Sequence, residues 1–198
     1  MNKTIWFKLT DKEKYPCCYT LGAKKVVEAK WGDLKGFFEA ADKASKGLDF
    51  RPLLFCMELL IRQGCARLNY FCRDIPPEPG APLTQRGFYK PISSEELAAK
   101  MITYQLSAVP DLIVDAYNKA METTISGALT KEARENITNS ETSNSIAWYD
   151  YHCRTFGISQ KEYNLLTVGE IQDLAVCRAI QRGIMREEID TPNLPRWK

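Results

Sequence analysis

Hydrophobic and polar residues follow two different patterns along the chain. Near the start, residues 3–9 and 15–20 are rich in aromatic and β-branched side chains and flank a polar stretch, residues 11–14, which predicts a small β-hairpin. From residue 21 onward, apolar positions recur at helical spacing. The chain is therefore predicted to be mainly α, with a small N-terminal β-hairpin followed by a helical bundle and then a second small helical module.

The first helices have clear boundaries in the sequence. Residues 21–31 and 34–43 are predicted as two short amphipathic helices, separated by Gly32, which ends a helix, and Asp33, which can cap the next one. The following helix, residues 52–69, carries apolar residues around nearly its whole circumference. A helix that is apolar on all sides is typically buried.

A proline-rich segment divides the first half of the chain. Residues 75–91 contain five Pro and two Gly, which predicts a long loop. The run from Ser93 to Glu96 then gives a capped helix start. Pro110 is predicted to stop or kink this helix and to begin another one that ends near Met121.

The second half begins after a change of composition. Residues 126–145 are polar and weakly periodic, so they are predicted to form a linker between an N-terminal helical domain, residues 1–125, and a small C-terminal helical module, residues 146–198. The capping-box pattern from Thr167 to Glu170 predicts a final helix that runs to about residue 186. The last eight residues are predicted to be extended.

The final helix has apolar residues on two opposite sides. At 100° per residue, one side contains Ile171, Leu174 and Ala175. The opposite side contains Val176, Ile180 and Ile184. Two interpretations stay open: a central position in a small bundle, or one face that packs internally and one that binds a partner or another copy. The same alternatives hold for an aromatic set nearby. The candidate partner-binding residues are Trp148, Tyr151, Val176, Ile180 and Ile184.

Composition excludes several classes of protein. The 27 basic and 25 acidic side chains give a formal charge of +2, without the clustered basic stripe typical of nucleic-acid binding. No apolar run approaches the ~20 residues needed to span a membrane. We therefore expect a protein without nucleic-acid or membrane partners.

No cofactor, metal site or catalytic residue is predicted. The seven Cys are odd in number and lack the close pairing of structural zinc sites, so they are interpreted as reduced, small hydrophobic residues in a cytosol. His152 and Cys153 are adjacent in sequence, so on a helix they point about 100° apart. A small thiol enzyme that uses His152 with Cys153 or Cys177 is the least favoured alternative.

Two regions of the sequence, residues 14–23 and residues 148–171, carry a family resemblance. Residues 14–23, KYPCCYTLGA, precede the helices and the proline-rich break. Residues 148–151, WYDY, precede residues 156–159, FGIS, and residues 162–171, EYNLLTVGEI. In this order, these segments resemble the upstream and downstream modules of the tail assembly chaperones of long-tailed bacteriophages and prophages.

The resemblance implies a non-enzymatic role. Chaperones of this family coat the tape measure protein and recruit tail tube subunits, so both proteins are expected partners, and the apolar faces also allow self-association. It implies action in the cytoplasm of the bacterial host and absence from the mature particle. It also implies that residues 1–125 are a chaperone-like domain, and that any frameshift junction lies between residues 123 and 145. The alternative is a structural head-tail or tail-completion component that stays in the particle.

Overall fold

The N-terminal hairpin consists of β1 (Ile5–Lys8) and β2 (Lys14–Cys17), which pair in antiparallel fashion with Ile5 opposite Cys17. The Thr10 hydroxyl accepts the backbone N–H groups of Lys12 and Glu13 and so closes the turn. In this computed structural model, residues 3–101, 103–125, 127–129 and 145–187 are described. The predicted hairpin and the mainly α character are confirmed.

Helices α1 (Leu21–Trp31) and α2 (Leu34–Lys46) follow the hairpin. The predicted bounds of α1 are confirmed, and α2 continues three residues beyond its predicted end. Thr20 and Asp33 cap the two helices with their side-chain oxygens. These caps satisfy backbone N–H groups that have no partner inside a helix, which is why both helices start where the sequence indicates.

Helix α3 (Arg51–Phe71) is the centre of the larger core. It packs against β2, α1 and α2 on one part of its surface, and against two later helices elsewhere. Its apolar residues are buried on all sides, as predicted. The buried members are Leu53, Leu54, Cys56, Met57, Leu59, Leu60, Ile61, Cys65 and Leu68.

The proline-rich loop leads to α4 (Ser94–Lys100) and α5 (Thr103–Met121). The prediction that Pro110 divides these helices was wrong: the chain becomes extended at Met101, and Pro110 lies inside α5. Proline costs a helix about 3 kcal/mol. Burial of Val109 and Ile113 beside it contributes a comparable stabilisation, about 1.5–3 kcal/mol each.

The C-terminal elements are α6 (Ile146–Thr155), α7 (Gln160–Tyr163) and α8 (Val168–Gln181). The capping box at Thr167 is confirmed, but α8 does not run to residue 186. It ends at Gln181, and Gly183 adopts a positive φ of 70°. The chain then forms β4 (Met185–Glu187), which pairs with β3 (Gly127–Leu129) in an antiparallel pair that the sequence did not predict.

The predicted linker falls mostly outside the described residues. Of residues 126–145, only β3 and Ser145 are described, and the predicted extended tail also lies outside the described part of the chain.

The buried residues form two clusters, of which the smaller one joins both halves of the chain. Leu21 of α1 belongs to this cluster, together with residues from α6, α7 and α8. The proposed division into residues 1–125 and 146–198 stays a prediction, which expression of residues 1–125 alone would test.

Candidate partner-binding surfaces

The C-terminal helices pack on the start of α1 through backbone hydrogen bonds. Leu21 donates its N–H to the carbonyl of Leu166 at 2.8 Å, and Gly22 donates to the carbonyl of Asn164 at 3.0 Å. Lys25 adds a side-chain contact, because its Nζ lies 3.9 Å from the ring centroid of Tyr163. These contacts position α7 beside α1 and α3.

Arg67 of α3 links the same region to α8. Its side chain is largely buried and forms a two-pronged ion pair with Glu170, with Nη1 at 2.9 Å from Oε2 and Nη2 bonded to Oε1. Nη1 also donates to the carbonyl of Leu165 at 2.8 Å. A fork of this kind restricts both distance and orientation, so the first turn of α8 is held firmly against α3.

The start of α8 lies directly on the end of α5. An added Cβ at Gly169 would lie 1.9 Å from the carbonyl oxygen of Glu122, so only glycine permits this approach. The same carbonyl accepts from the buried ammonium of Lys3 at 2.6 Å. Asp173 then accepts the backbone N–H groups of Thr124 and Ile125, which fixes the chain that leaves α5.

The aromatic candidates differ in their surroundings. Trp148 is half-buried, and its ring centroid lies 4.0 Å from that of His152. Tyr151 is 65% exposed. Tyr151 is therefore available to a partner, whereas much of Trp148 packs within the module.

The aliphatic candidates lie on the last part of α8 and beyond it. Val176 and Ile180 are half-buried, and Ile184, which is 42% exposed, lies in the turn before β4 rather than on a helix. Leu174 was expected to face inward but is 38% exposed. Burial in α8 thus changes along its length: the fully buried positions all precede residue 174.

His152 and the thiols are placed as packing residues. Burial, and to a smaller extent Arg178, lowers the pKa of His152, so the ring is neutral at physiological pH. Burial raises the pKa of Cys153 to about 11 and that of Cys18 to about 12. Because a thiolate is the reactive form of cysteine, these thiols are poor nucleophiles.

Sequence reasoning missed an apolar groove beside the proline-rich loop. This loop groove has a volume of about 340 Å³ and lies between the hairpin, the end of α3 and the loop. Phe71 and Ile75 line it and are 44% and 62% exposed. Its aromatic walls include Trp6 and Tyr89, whose ring centroids are 6.0 Å apart. The only sequence signal was the presence of large apolar residues within a proline-rich segment.

The described residues lack the features of a metal site and of a membrane-spanning helix. No group of three or more His, Cys, Asp or Glu side chains among them could hold a metal ion. Within the same residues, no helix combines the length and apolar character needed to cross a membrane.

Comparison with known proteins adds no relative. No protein-family model, curated protein or solved structure matches this chain. The resemblance to tail assembly chaperones therefore depends on the residues quoted for it and on their order along the chain.

Proposed function

We propose that the protein is a non-enzymatic phage tail assembly chaperone, which binds the tape measure protein and recruits tail tube subunits during tail morphogenesis. It acts in the cytoplasm of the bacterial host and leaves before the particle is complete. The resemblance of residues 14–23 and 148–171 supports this proposal, and the loop groove supplies the structural observation that carries it.

The loop groove suits an apolar helix of a client. Phe71 and Ile75 project large apolar surfaces beside a concave, aromatic-walled groove. Exposed apolar surface next to a groove is typical of protein interaction sites. Covering each of these side chains with a client would contribute about 1.5–3 kcal/mol, before the cost of association.

The open end of α8 is proposed as the second contact, for tail tube subunits. Leu174 on α8 and Ile184 in the turn after it expose apolar surface, as does Tyr151 on α6, and all three belong to elements distant in sequence from the loop groove. Two separate surfaces would allow one chain to hold a client while it recruits a subunit.

The chemistry of His152 and Cys153 supports a role without catalysis. The ring of His152 lies beside Trp148, and the raised pKa of Cys153 keeps its thiol protonated at neutral pH. Replacing His152 by Gln, or Cys153 by Ser, should leave tail production near normal. Loss of tails from a folded variant would favour the thiol-enzyme alternative.

The proposal predicts that a tape measure protein is encoded in a neighbouring reading frame, and co-expression of this chain with that protein tests it. The parent chain should keep the tape measure protein soluble and co-purify with it. Phe71→Asp should reduce recovery of the complex by about tenfold, because a carboxylate would lose water on binding. Leu48→Asp, at an exposed apolar residue outside the groove, is the matched control and should bind like the parent.

Two results would contradict this function. Equal recovery of the complex with Phe71→Asp and with Leu48→Asp would remove the loop groove as the client site. Finding the chain in purified tails would favour a structural component of the particle.

A further inference from the structure

Two grooves other than the loop groove meet on the outer side of α3. One, of about 370 Å³, lies between α3 and the α7 region, and the other, of about 300 Å³, lies between the end of α3 and the proline-rich loop. Asn69 and Arg73 line both. The two grooves therefore form one continuous surface, which we call the basic track.

The charge of the basic track has one sign. Lys161, Arg73 and Arg86 line it, and neither groove has an Asp or Glu among its lining residues. Within the described part of the chain, none of these three cations lies at ion-pair distance from a carboxylate. Arg73 uses Nε to donate to the carbonyl of Asn69, and Lys161 lies over the ring of Tyr70 at 5.3 Å.

One carboxylate beside the track, that of Glu162, is hydrogen-bonded to Tyr70 and Ser159. Glu162 accepts from the Tyr70 hydroxyl at 3.1 Å and from the hydroxyl and backbone N–H of Ser159 at 2.7 and 3.0 Å. These hydrogen bonds lower the pKa of Glu162, so its carboxylate is ionised at neutral pH. Asp74 follows Arg73 in the chain but lines neither groove.

Two amide side chains that line the first groove have paired oxygens. Gln63 Oε1 accepts from the Thr20 hydroxyl at 2.9 Å, and Asn164 Oδ1 accepts from Lys25 Nζ at 3.2 Å. Among the described residues, no acceptor is bonded to Gln63 Nε2 or Asn164 Nδ2. A ligand in this groove therefore meets two cations and two N–H₂ groups, whereas the amide oxygens are already paired.

We propose that the basic track binds an acidic, partly apolar peptide segment of a partner protein. Carboxylates and peptide carbonyls supply the acceptors that the track lacks, and apolar side chains can cover Ala66, Tyr70 and Phe88 along its walls. Nucleic acid is disfavoured, because three cations form a shorter basic stripe than is typical of nucleic-acid binding and the formal charge of the chain is only +2.

Fluorescence anisotropy with the full chain and a labelled peptide of Glu-Glu-Ala-Leu repeats tests this binding. The peptide should bind, its Gln-Gln-Ala-Leu counterpart should bind at least about tenfold more weakly, and raising the salt from about 0.05 M to about 0.5 M should weaken the complex. The test uses no tail component, so its outcome is independent of the chaperone proposal.

Charge reversal locates the site. Arg73→Glu combined with Lys161→Glu should weaken peptide binding at least about tenfold, with an unchanged thermal melt because both side chains are exposed. Lys43→Glu, an exposed lysine of α2 outside every groove described above, should bind within about twofold of the parent.

Three results would overturn the inference. The first is no binding of the acidic peptide at low salt. The second is equal loss of binding in Lys43→Glu and in the double variant. The third is tighter binding of a labelled single-stranded oligothymidine that the double variant abolishes, which would assign the track to nucleic acid.

Discussion

Helices α3 and α8 both carry apolar residues on more than one side, yet their surroundings differ. α3 is enclosed by β2 and four helices, and buried residues occur from Leu53 to Leu68. α8 contacts only α5, α6 and β4 extensively, and its fully buried positions end at Asp173. An apolar pattern therefore predicts burial only where enough neighbouring elements exist to cover it.

The burial along α8 also differs from the two-faced pattern that the sequence predicted. The sequence suggested two faces along the helix, one for the module and one for a partner. In the structure the division runs across the helix axis, with a buried first half and a half-exposed second half. A partner would therefore meet the end of α8 rather than one of its sides.

Leu60→Asp should have the largest effect, because Leu60 is fully buried in α3. An unpaired carboxylate there should destabilise the protein by more than about 4 kcal/mol and abolish a cooperative urea transition. Retention of a cooperative transition near the parent midpoint would show that α3 is less enclosed than its contacts indicate.

Arg67→Ala tests the link between the two helices. It leaves Glu170 and the carbonyl of Leu165 without their buried partner, which should cost about 3 kcal/mol in urea unfolding. Arg62→Ala on the same helix is the control, because Arg62 is exposed and its Nη1 lies 3.7 Å from Glu58 Oε1, so this pair is worth less than about 1 kcal/mol. Equal losses in both variants would deny the link any special role.

Gly169→Ala tests the buried half of α8. A Cβ against the Glu122 carbonyl should destabilise the protein by about 1–3 kcal/mol and lower amide-exchange protection of α8. The sign of the effect is decisive. Without this close contact, alanine would raise stability by about 1 kcal/mol through its higher helix propensity. Cys177→Ala, in the half-exposed part of the helix, should change stability little.

Ile180→Asp should have the smallest effect on stability. At this half-buried position, a carboxylate that stays hydrated in the free protein should cost less than about 1 kcal/mol, yet it should abolish binding of a partner to the end of α8. A thermal melt far below that of the parent would instead assign Ile180 to the core.

Local signals in the sequence were enough for most helix starts. Asp33, Ser93 and Thr167 each accept a backbone N–H at the helix start that their residue type and spacing indicated. Such caps depend on neighbours within four residues, so a single sequence records them. The prediction at Pro110 was wrong because the cost of a proline inside a helix is local, whereas the burial that outweighs this cost depends on contacts with residues distant in sequence.

The contacts between the two halves could not be predicted in this way. In the sequence, Arg67 is a charged residue on an apolar helix, and no local pattern indicates that its partner is Glu170, which lies 103 positions later. Gly169 looked like an ordinary member of a capping box, and its close approach to Glu122 depends on how two helices meet. The basic track likewise combines Arg73 and Lys161 from segments that only the tertiary structure brings together.

The Glu122 carbonyl sets an order of events during synthesis. Lys3 is made early and can reach this oxygen as soon as α5 has formed, but Gly169 follows Glu122 by 47 residues in the chain. At bacterial and eukaryotic elongation speeds of about 5–20 residues per second, this separation corresponds to roughly 2–9 s of translation. Throughout that interval the junction at the Glu122 carbonyl lacks Gly169, because this last contributor has not yet been made.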